Sequence, residues 1–170
     1  MSIAAYRTEI DNFEAHYKYD STYMRELLDH SPEGFAKFNS FMPLSSHIEK
    51  LKLEDYWVAK LAAMQVEDCG ECLQLNVRMA LEAGVPKTLV QAAIQGGRDL
   101  PDQLRDVYDY AKSVANHELV DNELMDRIEA RFDKGALLEF GLCIATAKVF
   151  PTIKRALGYA KTCSLVEIEI

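Results

Sequence analysis

Cys69 and Cys72 stand three residues apart in the run Val66-Glu67-Asp68-Cys69-Gly70-Glu71-Cys72. Two thiols at that spacing can close a disulfide across one helical turn, hold half a metal site, or pack as small apolar side chains. Asp68 and Glu71 stand at capping-box spacing, which predicts Asp68 as the N-cap and Cys69 in the first turn. Free N–H groups and the helix dipole favour a thiolate there, while Glu67, Asp68 and Glu71 oppose it. On a helical projection Glu71, Gln74, Arg78 and Glu82 form the wet stripe, and Cys69, Cys72 and Asn76 fall roughly opposite it. Asn76, one turn beyond Cys72, is then a covered polar group beside the thiols. It serves either a local hydrogen bond or the chemistry.

The elements that position these residues read as helices throughout. Ser31 caps a helix with Pro32 at its first position, carried by Phe35 to Phe41. An apolar helix runs from Leu53 to Val66. The cysteine helix runs from Asp68 to Ala83 and is closed by Gly84 and Pro86. Leu89 to Gln95 follows, ended by Gly96-Gly97, and Pro101 to Ala115 and Asp121 to Phe132 are amphipathic. Gly135 to Phe150 is mostly apolar and is expected in the core or an interface, with Pro151 kinking or restarting it before Ile153 to Lys161. Only the tail, Leu165 to Ile170, alternates as a strand would, and it can pair across a subunit contact.

The chain has 170 residues, about half apolar, and a net charge of −8. That suits one domain over 1–170, and the acidic balance argues against nucleic acid or an anionic membrane as partner. The N-terminus lacks the apolar core of a signal peptide, and no run reaches the about 18 apolar residues of a membrane span. A cytoplasmic setting is therefore expected, where a C-x-x-C pair is more often catalytic or metal-binding than structural. Zinc would need four ligands, and His16, His30, His47 and His117 are scattered without a second C-x-x-C. A thioredoxin domain would place the pair in a βαβ unit.

Cys69-Gly70-Glu71-Cys72 after an apolar helix resembles the AhpD-like and carboxymuconolactone decarboxylase superfamily. So do Ala80-Leu81-Glu82-Ala83-Gly84-Val85-Pro86 and the stretch Ala145 to Gly158. The resemblance covers a core of about 31–163, with residues 1–30 as an added helical segment. It implies an all-α, AhpD-like helical bundle that forms homo-oligomers through apolar helices such as Gly135 to Phe150. It implies thiol-disulfide chemistry on a peroxide or disulfide substrate, a dithiol reductant, and no metal or organic cofactor. In its redox members Cys72 would attack and Cys69 would resolve, whereas placement at the helix start favours Cys69 as the first nucleophile. The family's relay glutamate and histidine positions hold Trp57 and Asn76 here. Tryptophan is no base, and asparagine does not titrate near neutral pH. Candidate substitutes are Glu67, Glu54 and Lys60, the last able to stabilise a thiolate. The alternative is a decarboxylase-like enzyme or binding protein on the same fold with structural cysteines. His117 reads as an exposed loop residue rather than an acid of that branch.

Overall fold

The structure, a computed structural model, describes residues 2–161 and 168–170. Among the described residues there are nine α-helices and no strand. They are α1 (Ile3–Tyr17), α2 (Thr22–His30), α3 (Pro32–Phe41), α4 (Leu53–Val66), α5 (Gly70–Glu82), α6 (Lys87–Ile94), α7 (Asp102–Ala115), α8 (Asn122–Arg131) and α9 (Lys134–Ala156). A short 3-10 turn, Met42–Ser46, joins α3 to the loop before α4.

The centre is α4, whose residues Asp55 through Met64 are all buried. A helix apolar around its whole circumference must be enclosed, and α5, α6, α7 and α9 pack around it. Lys60 and Asp55 are its charged interior residues. Asp55 meets Arg131 of α8 at 3.2 Å. Lys60 Nζ donates to Ser45 O (3.0 Å), Thr146 Oγ1 (3.0 Å) and Cys143 O (3.3 Å). Thr146 spends its own proton on Cys143 O, so all three partners accept. Three acceptors call for three N–H groups, which only the ammonium form supplies.

A second core cluster holds Ile10, Tyr19, Tyr23, Met24, Leu28, Phe35 and Phe38 from the N-terminal helices. Leu75 of α5 and Phe150 and Ile153 of α9 pack against it. The N-terminal segment is therefore sealed onto the helix that carries the cysteines.

Several boundaries differ from the sequence expectation. Ser31 caps α3 through Gly34 N as expected. Pro151 does not restart the last helix: α9 runs unbroken to Ala156, with Pro151 buried inside it. One face of α9, the helix through which self-association is expected, leaves Leu138 and Leu142 exposed. The alternating tail lies outside the described residues up to 167, as does Cys163. Its last three residues fold back on the chain's own α5, where Glu169 N donates to Gln74 Oε1 (2.7 Å) and Gln74 Nε2 to Glu169 O (3.0 Å).

Candidate active site

Three residues, Glu67, Asp68 and Cys69, turn the chain from α4 into α5. Asp68 has a left-handed backbone, φ 46°, and Cys69 is the N-cap with φ −115° and ψ 96°. The expected capping box does not form. So short a reversal needs a left-handed residue, which aspartate tolerates better than most, and the N-cap falls one residue later than the spacing predicts. Cys72 then lies in the first turn of α5, where backbone N–H groups lack intrahelical partners. The neighbouring Gly70 N–H is taken by Lys161 O at 3.0 Å.

Cys69 and Cys72 are at disulfide distance, their Cα atoms 5.3 Å apart. Both are buried, as the helical projection predicts. They differ in what they face. Cys72 forms part of the wall of a cavity of about 60 Å³, and Cys69 does not. That cavity lies between the two core clusters. Its wall is mostly aromatic and thioether: Phe13, Tyr19, Tyr23 and Phe150 with Met24, Met42, Met64 and Met79. Trp57, Lys60, Leu75 and Asn76 complete it, together with Ser45 and Ser46.

The expected site residues are sorted by this geometry. Asn76 Nδ2 donates to Cys72 O at 2.8 Å, a bond along one helical turn that fixes the side chain beside the thiol. Lys60 reaches the cavity, but its three protons go to Ser45, Thr146 and Cys143. Burial pushes its pKa down, and the nearby Cys143 opposes that. Glu67 is not on the cavity wall. It pairs with Lys148 (3.7 Å) and Arg155 (4.0 Å) of α9, so its role is to tie the end of α4 to that helix. Glu54 lies in a separate surface groove with Asp55 and Arg131. Trp57, which stands where the resemblance would place the relay glutamate, has its Nε1 buried without a hydrogen-bond partner.

The expected wet stripe of α5 is also corrected. Gln74 is buried under Glu169, and Arg78 bonds Tyr17 O, Lys18 O (3.1 Å) and Glu169 (3.4 Å). Glu71 meets Lys154 at 2.5 Å and Lys161 at 2.8 Å. Polar side chains on a helix face satisfy a neighbouring backbone as readily as water, so the pattern alone does not separate the two.

Two cavity-wall residues, Tyr19 and Tyr23, and Lys154 packed on their rings escape motif reasoning. Tyr19 Oη lies 3.8 Å from Cys72 Sγ. Tyr23 stands beside it, with ring centroids 6.4 Å apart. Lys154 Nζ sits 4.7 Å above the Tyr19 ring and 5.7 Å from that of Tyr23. No local signal marks them, because Tyr19 and Cys72 are 53 residues apart in sequence. His117 is exposed in the loop after α7, as expected, with Lys148 Nζ at 3.1 Å. Among the described residues no group of three or more His, Cys, Asp or Glu side chains is placed to hold a metal ion.

No protein-family model matches the chain, and no curated protein matches it in sequence. Among solved structures it is similar to a cysteine-to-alanine variant of the debrominase Bmp8 in complex with 2,3,4-tribromopyrrole. The TM-score is 0.68 at 15% identity, over 84% of this chain and 74% of that one. The two chains thus share a fold, an all-helical arrangement consistent with the expected AhpD-like bundle.

Proposed function

We propose that the protein is a thiol-disulfide oxidoreductase that reduces a compact hydroperoxide through Cys72 and Cys69. The observation that carries this reading is that the two sulfurs are at disulfide distance and Cys72 alone of the pair is on the cavity wall. Cys72 as thiolate attacks the terminal peroxide oxygen. An S–O bond forms, the O–O bond breaks, and the alkoxide leaves as an alcohol after taking a proton. Cys69 then attacks the sulfenic sulfur, forming the disulfide and releasing water. A dithiol partner supplies two electrons and two protons to restore both thiols. The placement supports the family order of attack over the alternative that starts from Cys69, whose sulfur is shielded at the helix cap.

Size helps choose the substrate class. The cavity, about 60 Å³, is under half of the ~150 Å³ that accepts benzene. That favours a small peroxide over a halogenated ring such as the ligand of the debrominase. The deciding experiment counts thiols in the purified protein, before and after hydroperoxide and again after a dithiol. A loss of two thiols that the dithiol reverses is expected. Unchanged peroxide consumption in Cys69→Ser and Cys72→Ser would sink the proposal, and turnover of a bromopyrrole instead would move the function to the dehalogenase class.

A further inference from the structure

A side-chain hydroxyl lies beside the Cys72 sulfur, and it arrives from the N-terminal arm. Tyr19 sits in the turn between α1 and α2, its ring buried and its Oη 3.8 Å from Sγ. Its ring is edge-on to Phe13 at 6.0 Å and to Tyr23 at 6.4 Å. The Lys154 ammonium caps its face at 4.7 Å. Elements α1, α2 and α9 therefore hold the hydroxyl in place against α5.

The other polar groups near the thiols are committed elsewhere. Asn76 directs its amide to the Cys72 carbonyl, Lys60 serves three oxygens, Glu67 is ion-paired to α9, and the Tyr23 hydroxyl shares a hydrogen bond with Tyr19 itself. We infer that Tyr19 is the hydrogen-bond donor that holds Cys72 Sγ in its reactive thiolate form, so that the N-terminal arm completes the site. This rests on the same sulfur as the function proposed above, but it concerns thiolate stability alone and is measurable without any peroxide.

The physical case is one of donor strength and permanence. A hydrogen bond to an anion is about twice as strong as one between neutral groups, and more so away from water. Burial, then the neighbouring Tyr23 and Glu71, pushes the Tyr19 hydroxyl far above its ordinary value. It therefore keeps its proton throughout the range in which a thiol titrates. A cation over the ring draws electron density from the oxygen and sharpens the donor. The charged groups facing this corner are Lys60 from α4, Lys154 from α9, Glu71 on α5, Lys161 after α9 and Asp20 beside Tyr19. Glu71 is covered by the two lysines, which leaves the balance around Cys72 positive. Neither Lys60 nor Lys154 is hydrogen-bonded to the sulfur in this structure, whereas Tyr19 is.

The test is the pH dependence of iodoacetamide alkylation at Cys72, followed by mass spectrometry of its peptide in the full chain carrying Cys69→Ser. Tyr19→Phe keeps the ring packing and removes the hydroxyl. The midpoint is expected to rise by about one pH unit and alkylation at neutral pH to slow by about tenfold. Tyr19→3-fluorotyrosine keeps size and hydroxyl but makes the O–H a stronger donor, and should move the midpoint down. Thermal unfolding of the same samples reports the fold. A folded Tyr19→Phe protein with an unmoved midpoint overturns the inference. So does a fluorotyrosine protein that titrates like the wild type, which decides the matter even where Tyr19→Phe fails to fold. Absence of peroxide turnover in the wild-type protein, with the expected midpoint shifts in the variants, would reject the proposed function and leave this inference standing.

Discussion

The Lys154 ammonium, 1% exposed, meets the Glu71 carboxylate at 2.5 Å and so pins the last turns of α9 to the first turn of the cysteine helix. Removing one partner of a buried pair strands the other charge, which costs about 3–5 kcal/mol. Lys154→Met leaves Glu71 with Lys161 alone, so it should lower unfolding free energy by less than that, about 1–3 kcal/mol in a denaturant titration. Lys161 also meets Glu71, at 2.8 Å, but is 60% exposed. Lys161→Ala should cost far less, because solvent screens an exposed pair. Equal losses in the two variants would show that burial does not set the strength of this cluster.

The same carboxylate predicts a pH dependence. Burial alone would raise the Glu71 pKa, but hydrogen bonds from Lys154 and Lys161 outweigh it and hold it below the ordinary 4.5. A group with a depressed folded pKa stabilises the fold above its unfolded value. That contribution is lost as pH falls through the folded value. Stability of the wild type should thus decline below about pH 4.5, and Glu71→Gln should flatten that part of the curve. A Glu71→Gln protein with an unchanged acid limb would assign the decline to other carboxylates.

How much of this was legible in the sequence depends on the range of the interactions. Helix α4 matches its expected bounds because an unbroken apolar run has one physical outcome. The burial of Cys69, Cys72 and Asn76 followed from helical phase alone. The start of α5 did not, because the left-handed Asp68 is set by how closely α4 and α5 must approach. Glu67 and Lys60 looked equally available as charged neighbours, yet one is tied to α9 and the other donates into the core, both through contacts more than 80 residues away. Tyr19 had no motif to mark it. Its proximity to Cys72 exists only once α1 and α2 have packed on α5.

Reduction of the cysteine pair should leave the fold standing. Chain-entropy stabilisation grows with loop length, and this loop has a sequence separation of only 3. It is worth about 2 kcal/mol at most, or less than about 8 °C in midpoint for a domain of this size. Thermal unfolding with and without dithiothreitol measures it. A much larger loss would make the pair a structural staple and weaken the redox reading.

Gly97 supplies a control remote from the cysteines. Its φ is +76°, and a Cβ built on it would lie 2.8 Å from the buried Tyr108 ring. Gly84 has φ +96° with open space around it. Gly84→Ala should cost about 1–2 kcal/mol for the backbone alone. Gly97→Ala should add about 1–3 kcal/mol of overpacking. Denaturant titrations that rank the two the other way would contradict the packing of α6 on α7.

Trp57 gives the site its own reporter, because the chain contains a single tryptophan. Its ring and Cys72 share one cavity wall, and its Nε1 is buried without a partner. An oxidised disulfide accepts an electron from an excited indole at short range and quenches it, whereas two thiols do so far less. Reduction should therefore raise Trp57 emission, and hydroperoxide should lower it again in step with the loss of two thiols. The wavelength should stay blue-shifted throughout, since the indole is enclosed in both states. In Cys72→Ser the emission should ignore both reagents. An intensity that stays flat while the thiol count changes by two would show that the pair and the indole do not face a common space, and with it the cavity would lose its claim to be the site of the chemistry.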